Sequence, residues 1–179
     1  MVFVPDEQLL IGWIAFVVLV GFLPGSINGR SREGYSELKQ PSFAPPPWLF
    51  GVAWTILYAL MGVAAYLVQI EGGFFVVGVN RLALVLFLAL QVVLAAWSFV
   101  FSGRQRLGLS VVVVLVGLVL SIVVGVLFAS LSTLAAVFVF ATSAWLAFAS
   151  ILAYSLFALN RKRCRKPKSV GGTKRTARV

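Results

Sequence analysis

Five stretches of this chain run without a single acidic or basic side chain: about Gln8 to Leu23, Trp48 to Ile70, Leu82 to Phe101, Leu107 to Ser130 and Leu134 to Leu159. The hydrocarbon core of a bilayer is about 30 Å thick and a helix rises about 1.5 Å per residue, so roughly 20 apolar residues make one crossing. Inside that core a backbone amide has no water to bond, so helices are the conformation such runs adopt. The reading is therefore an all-α integral membrane protein, a bundle of five transmembrane helices within residues 1–160. The rest, residues 161–179, reads as a basic, disordered cytoplasmic tail. With 61% hydrophobic and 11% charged residues among 179, and a mean hydropathy of +1.03, nothing is left over for a separate soluble domain.

The basic residues between the spans predict the direction of insertion, because cytoplasmic loops retain Lys and Arg. Arg30, Arg32 and Lys39 follow the first span, Arg81 the second, Arg104 and Arg106 the third, none the fourth, and nine lie from Arg161 onward. Five crossings with a cytoplasmic tail place fourteen of these on the inner side and one on the outer. The N-terminus is then expected outside, in a bacterial or archaeal cell membrane rather than an organelle outer membrane. The first span reads as a retained helix, since Asp6 and Glu7 stand where a signal peptide carries basic residues.

The formal net charge of +10 belongs almost wholly to the tail, which has nine basic and no acidic residues after position 160. It lacks interleaved aromatics to stack on bases, so its expected partner is anionic lipid, at about 1 kcal/mol per basic residue near the surface, and not nucleic acid. The chain has no histidine, one cysteine (Cys164) and five acids, all outside the spans. That argues against a metal site, a haem held by axial histidine and Ser/His/Asp hydrolysis. It also leaves no intramembrane carboxylate for an ion-coupled pump. No internal repeat or matched pair of broken helices marks a secondary transporter.

The connector of about residues 24–47 is the long one, and long connectors in compact proteins tend to be functional. It ends Pro41-Ser-Phe43-Ala-Pro45-Pro46-Pro47-Trp48, four prolines in seven residues, a stiff segment whose last proline suits the first turn of a helix. In the second span Trp54, Tyr58 and Met61 fall at i, i+4 and i+7 and share one face. Such a stripe is ordinarily interhelical packing, yet here it follows a rigid connector able to cap a cavity.

These residues resemble the helix-two signature of the TspO/MBR family, the tryptophan-rich sensory proteins and translocator proteins: Pro41-x-Phe43-x-Pro45-Pro46-x-Trp48, then Trp54-Thr55-x-x-Tyr58-x-x-Met61-Gly62. Gly34-Tyr35-x-x-Leu38-x-x-Pro41 is similar to the family's Trp-Tyr-x-x-Leu-x-x-Pro, Trp97-Ser98-x-x-Phe101-x-Gly103-Arg104 to the end of its third helix, and Trp145-Leu-Ala-Phe148-Ala149 to its fifth. Phe43 and Gly34 stand where the family often has tryptophan, Leu94 and Ala153 where it often has asparagine.

The resemblance implies a pocket in the bundle beneath the connector, with Pro41, Pro45 and Pro46 in its lid. Its expected lining is Trp54, Tyr58, Met61, Trp145, Phe148, Ala149, Trp48, Phe43 and Gln91. Trp54 and Trp145 correspond to the pair the family associates with bound porphyrin and its light-dependent breakdown, the two candidates for a catalytic role. No cofactor is obligatory; protoporphyrin or haem is the expected ligand, with a sterol or lipid as the other class. The pattern proposed for cholesterol contact fails here, because Tyr154 and Arg161 are too far apart. Three activities stay open: a membrane receptor or sensor, a light- and oxygen-dependent porphyrin-degrading enzyme, and a facilitator moving tetrapyrrole or lipid across the membrane. The family also implies a homodimer. Gly117, Ser121, Gly125 and Ala129 form a small-residue stripe on the fourth span, fit for close packing against the fifth helix or a second protomer. Gln91, polar within a span, reads as an interhelical hydrogen bond or a ligand contact.

Overall fold

The computed structural model describes residues 6–27, 38–72, 78–102 and 106–165. They form five helices and, among the described residues, no strand: α1 (Asp6–Ile27), α2 (Pro47–Gly72), α3 (Val79–Ser102), α4 (Leu107–Ala129) and α5 (Thr133–Arg165). Helices α2 to α5 are each long and apolar enough to cross a bilayer. With 22 residues, α1 rises about 33 Å.

Two ends differ from the expected ones. α1 does not stop at Leu23 but continues through Pro24 to Ile27. A proline inside a helix loses its N–H bond and crowds the carbonyl four residues earlier, which costs about 3 kcal/mol and kinks or ends most helices; here the helix runs on for three more residues. α5 likewise continues beyond Leu159 to Arg165, so the first residues of the basic segment are helical and not disordered. A helix C-terminus carries a partial negative charge, so basic residues do not stop a helix there. The tail from residue 166 lies outside the described residues.

The helices close into a ring in the order α1, α2, α5, α4, α3, with α3 returning to α1 and α2 also touching α3 across the interior. The most extensive pairing is α4 with α5, joined by a turn in which the Leu131 N–H donates to Phe128 O at 3.0 Å and Ser132 N–H to the same oxygen at 2.7 Å. Ser132 caps α5, its Oγ accepting the Ala135 N–H at 3.4 Å.

Inside and outside are equally apolar. On α4, Val112, Val116, Val119 and Val126 face outward while Val114 and Val124 are buried. What distinguishes the inner face is size. Gly117, Ser121 and Gly125 are buried and Ala129 is exposed. Gly117 packs against Val93, Leu94 and Leu146, and a Cβ at Gly125 would lie 2.7 Å from the Phe140 ring. Ser143 Oγ donates to Ser121 Oγ at 2.9 Å, tying α5 to α4 within the chain. In lipid no hydrophobic force draws helices together, so such close approach and polar ties supply the association.

The contact of α1 with α2 depends on the same device. A Cβ at Gly62 would lie 2.6 Å from Ile14 Cα, which is backbone and cannot step aside, whereas one at Gly12 would meet nothing within 4 Å. Gly62→Ala therefore pushes α1 off α2 and lowers the thermal midpoint in micelles, by the about 1–3 kcal/mol typical of overpacking. Gly12→Ala leaves the midpoint unchanged or raises it through better helix propensity. Equal midpoints for the two variants would contradict the close approach.

Candidate functional site

Helices α2, α3 and α5 converge beneath the connector, where three of the chain's five tryptophans meet. Trp54 is at the centre, seven residues into α2 and so about 10 Å below its first turn. Its ring stacks on Tyr58 with centroids 5.1 Å apart, lies 5.8 Å from Trp97 of α3, and meets Trp145 of α5 edge-on at 6.5 Å and 88°. Trp97 stacks on Phe101 at 5.3 Å. Trp145 contacts Phe50 at 5.9 Å and Phe148 at 5.5 Å, and Phe148 reaches Phe43 of the connector at 6.5 Å. Tyr58 shares a side-chain hydrogen bond with Ser98. It is backed by Gly21 of α1, where any side chain would overlap the phenol ring.

The expected lining residues do not all gather. Trp54, Tyr58, Met61, Ala149 and Gln91 are buried, and Trp145 and Phe148 half-buried. Trp48 is 61% exposed on the outer surface of α2 and Phe43 is 48% exposed, touching the cluster through Phe148. Trp48 is the first side chain after the proline run, and α2 turns it outward. Met61 and Gln91 lie deeper, with Gln91 Nε2 donating to Met61 Sδ at 3.8 Å. Leu94 and Ala153, where the family often has asparagine, are buried and apolar. The fifth tryptophan, Trp13, is at the far end, where its indole N–H donates to Gln69 Oε1.

Two features of this cluster bear on chemistry. First, among the described residues the indole nitrogens of Trp97 and Trp145 are buried donors with no acceptor, and Gln91 Oε1 is a buried acceptor with no donor. Leaving such a group unpaired costs about 1–3 kcal/mol. Second, Trp54 and Trp145 touch directly, so room for a ligand is not between the two indoles. A groove of about 410 Å³ lies beside Trp145, between α2 and α5, lined also by Ala53, Ile56, Leu57, Ala144 and Phe148. That volume is within the range of small-molecule sites, about 300–1,000 Å³, and the groove opens on the outer face of the bundle, where Ile56, Ala141 and Ala144 are exposed. Among the described residues no group of three or more His, Cys, Asp or Glu side chains gathers. The arrangement offers aromatic faces and N–H donors. Arg30 and Arg32 of the connector lie outside the described residues.

Two residues at this end escaped assignment from sequence. Trp97 belongs to the third-helix motif, yet nothing local says that it turns toward Trp54. Asn160 looks like the polar boundary of an apolar run. Instead its buried amide binds the backbone of Lys39 in the connector, with Nδ2 donating to Lys39 O and Oδ1 accepting the Lys39 N–H, both at 3.0 Å.

An all-helical bundle with bilayer-spanning helices and three tryptophans gathered beneath a proline-stiffened connector defines a tryptophan-rich, multi-pass membrane protein. The model of the TspO/MBR family matches residues 13–159, and the chain belongs to that family. It is 30% identical to Tryptophan-rich protein TspO of Archaeoglobus fulgidus over 152 residues, 84% of this chain and 96% of that one. Translocator protein of Homo sapiens is 33% identical over 135 residues, 75% and 79% of the two chains. Protein CrtK of Rhodobacter capsulatus is 36% identical over 131 residues, 70% and 78%.

Proposed function

We propose that this chain is a membrane receptor or sensor for a flat hydrophobic ligand with hydrogen-bond acceptors at its edge, a porphyrin or related tetrapyrrole, held against Trp145 at the aromatic cluster. The observation that carries this reading is the buried Trp145 indole N–H, which has no acceptor among the described residues and borders the groove within a cluster of aromatic rings. A macrocycle in the groove supplies a π-face for Trp145 and Phe148 and an edge acceptor for the Trp145 N–H. A sterol, with one hydroxyl and no flat π-system, uses less of what the site offers. In this reading the connector end faces the cytoplasm, the N-terminus lies outside, and the basic tail rests on anionic headgroups. The protein works as a homodimer.

A second reading is light- and oxygen-dependent breakdown of the bound porphyrin. It is favoured by the contact of three indoles, Trp54 with Trp97 and Trp145, a short path for an electron from the chain to an excited ligand. Titrating the purified protein with protoporphyrin is expected to quench tryptophan fluorescence saturably, with haem competing. Quenching that rises linearly with added porphyrin would indicate partition into the micelle and refute the receptor. Loss of porphyrin absorbance in light but not in the dark, faster with the protein than without it, would make the receptor an enzyme as well.

A further inference from the structure

The connector is fastened to the bundle by a side chain at the far end of the sequence. Asn160 is 4% exposed, and its amide is fully engaged. Oδ1 accepts the Lys39 N–H at 3.0 Å, while Nδ2 donates to Lys39 O at 3.0 Å and to Leu156 O at 2.9 Å. The last bond lies within α5 and sets the amide's orientation. The other two pair with both backbone groups of one connector residue, as a neighbouring strand would. Beside them Leu38 and Ala44 pack on an apolar patch of Leu152 and Leu156, which Phe101 and Phe148 also join. Those two rings contact Trp97 and Trp145 respectively. The segment Leu38–Pro46 therefore closes the end of the bundle over the tryptophan cluster, and Asn160 holds it there.

We infer that Asn160 is a positioning residue for ligand exchange. It latches the connector through the Lys39 backbone and sets how fast a ligand enters and leaves the aromatic site, without touching the ligand. The inference rests on the binding reading above. Because the latch does not touch the ligand, its loss is expected to speed entry and exit alike and to leave affinity nearly unchanged. Both bonds go to backbone, so the identity of the side chain at position 39 has little influence.

The test is stopped-flow quenching by protoporphyrin on the full chain, together with amide hydrogen exchange at Lys39 without ligand. Asn160→Ala is expected to raise association and dissociation rates together by about thirtyfold, the factor for two hydrogen bonds of ordinary net strength. Lys39 exchange should accelerate by a similar factor, while Kd changes by less than about threefold. Asn160→Ser keeps the fold should alanine not, and its one hydroxyl should give an intermediate rate. Wild-type rates with wild-type Lys39 protection in either variant overturn the latch. So does faster dissociation with unchanged association, which would mean that Asn160 supports only the bound state. If wild-type protein binds no protoporphyrin, the receptor reading falls, and the latch stands or falls on Lys39 exchange alone.

Discussion

Replacing Trp145 by phenylalanine is expected to weaken protoporphyrin binding by about fivefold, one hydrogen bond at about 1 kcal/mol, whereas Trp97→Phe, away from the groove, should leave it nearly unchanged. Phenylalanine keeps an aromatic face and removes the N–H. Among the described residues the Trp145 donor has no acceptor, so its removal breaks no interaction with them and relieves a buried, unpaired group. Against that stands the smaller ring, which gives up some packing. The two effects oppose each other in stability and act in the same direction on affinity. The thermal midpoint without ligand should therefore move little while Kd rises. A variant that binds protoporphyrin as tightly as wild type would show that the Trp145 donor does not recognise the ligand.

The largest single loss should come from Trp54→Ala. This side chain is only 9% exposed and touches Tyr58, Trp97 and Trp145. Truncating a buried aromatic costs about 3–5 kcal/mol. In a bilayer the loss is mostly dispersion contact, because the rings left behind face a void too small for lipid. Saturable quenching should vanish with it, since Trp97 and Trp145 both lose the ring that holds them in place. Trp54→Phe should recover most of the stability. Thermal unfolding and fluorescence titration on the three proteins decide the matter. Identical saturable quenching in wild type and the alanine variant would place the ligand away from this cluster.

The spans were readable because an absence of charge over the thickness of a bilayer has few structural solutions. Their ends were less so. Pro24 and Arg161 look like stops, yet α1 runs three residues past its proline and cations are welcome at a helix C-terminus. Which way each helix faces was harder still. Val119 lies outside and Val124 inside, and hydropathy cannot separate them when the solvent is itself apolar. The small residues of α4 gave the better signal, because only the inner face needs close approach. At the site, the spacing of Trp54, Tyr58 and Met61 put them on one face of α2, and all three are buried. Trp48 shows the limit of that reasoning. It adjoins the same motif, but the turn of the helix carries it outward, and motif adjacency is not spatial adjacency. Trp97 and Asn160 become meaningful only when distant segments come together.

The ring order has a consequence for biosynthesis. Asn160 follows Lys39 by 121 residues, and α2 packs against α5 as well as against α1. At about 5–20 residues per second, translation keeps those partners apart for roughly 6–24 s. During that interval the first two helices sit in the membrane with a bare flank and an untethered connector. The nascent chain is thus committed to an open half-barrel of helices until its final segment inserts, and whatever shields that flank in the meantime influences how much protein reaches its finished form.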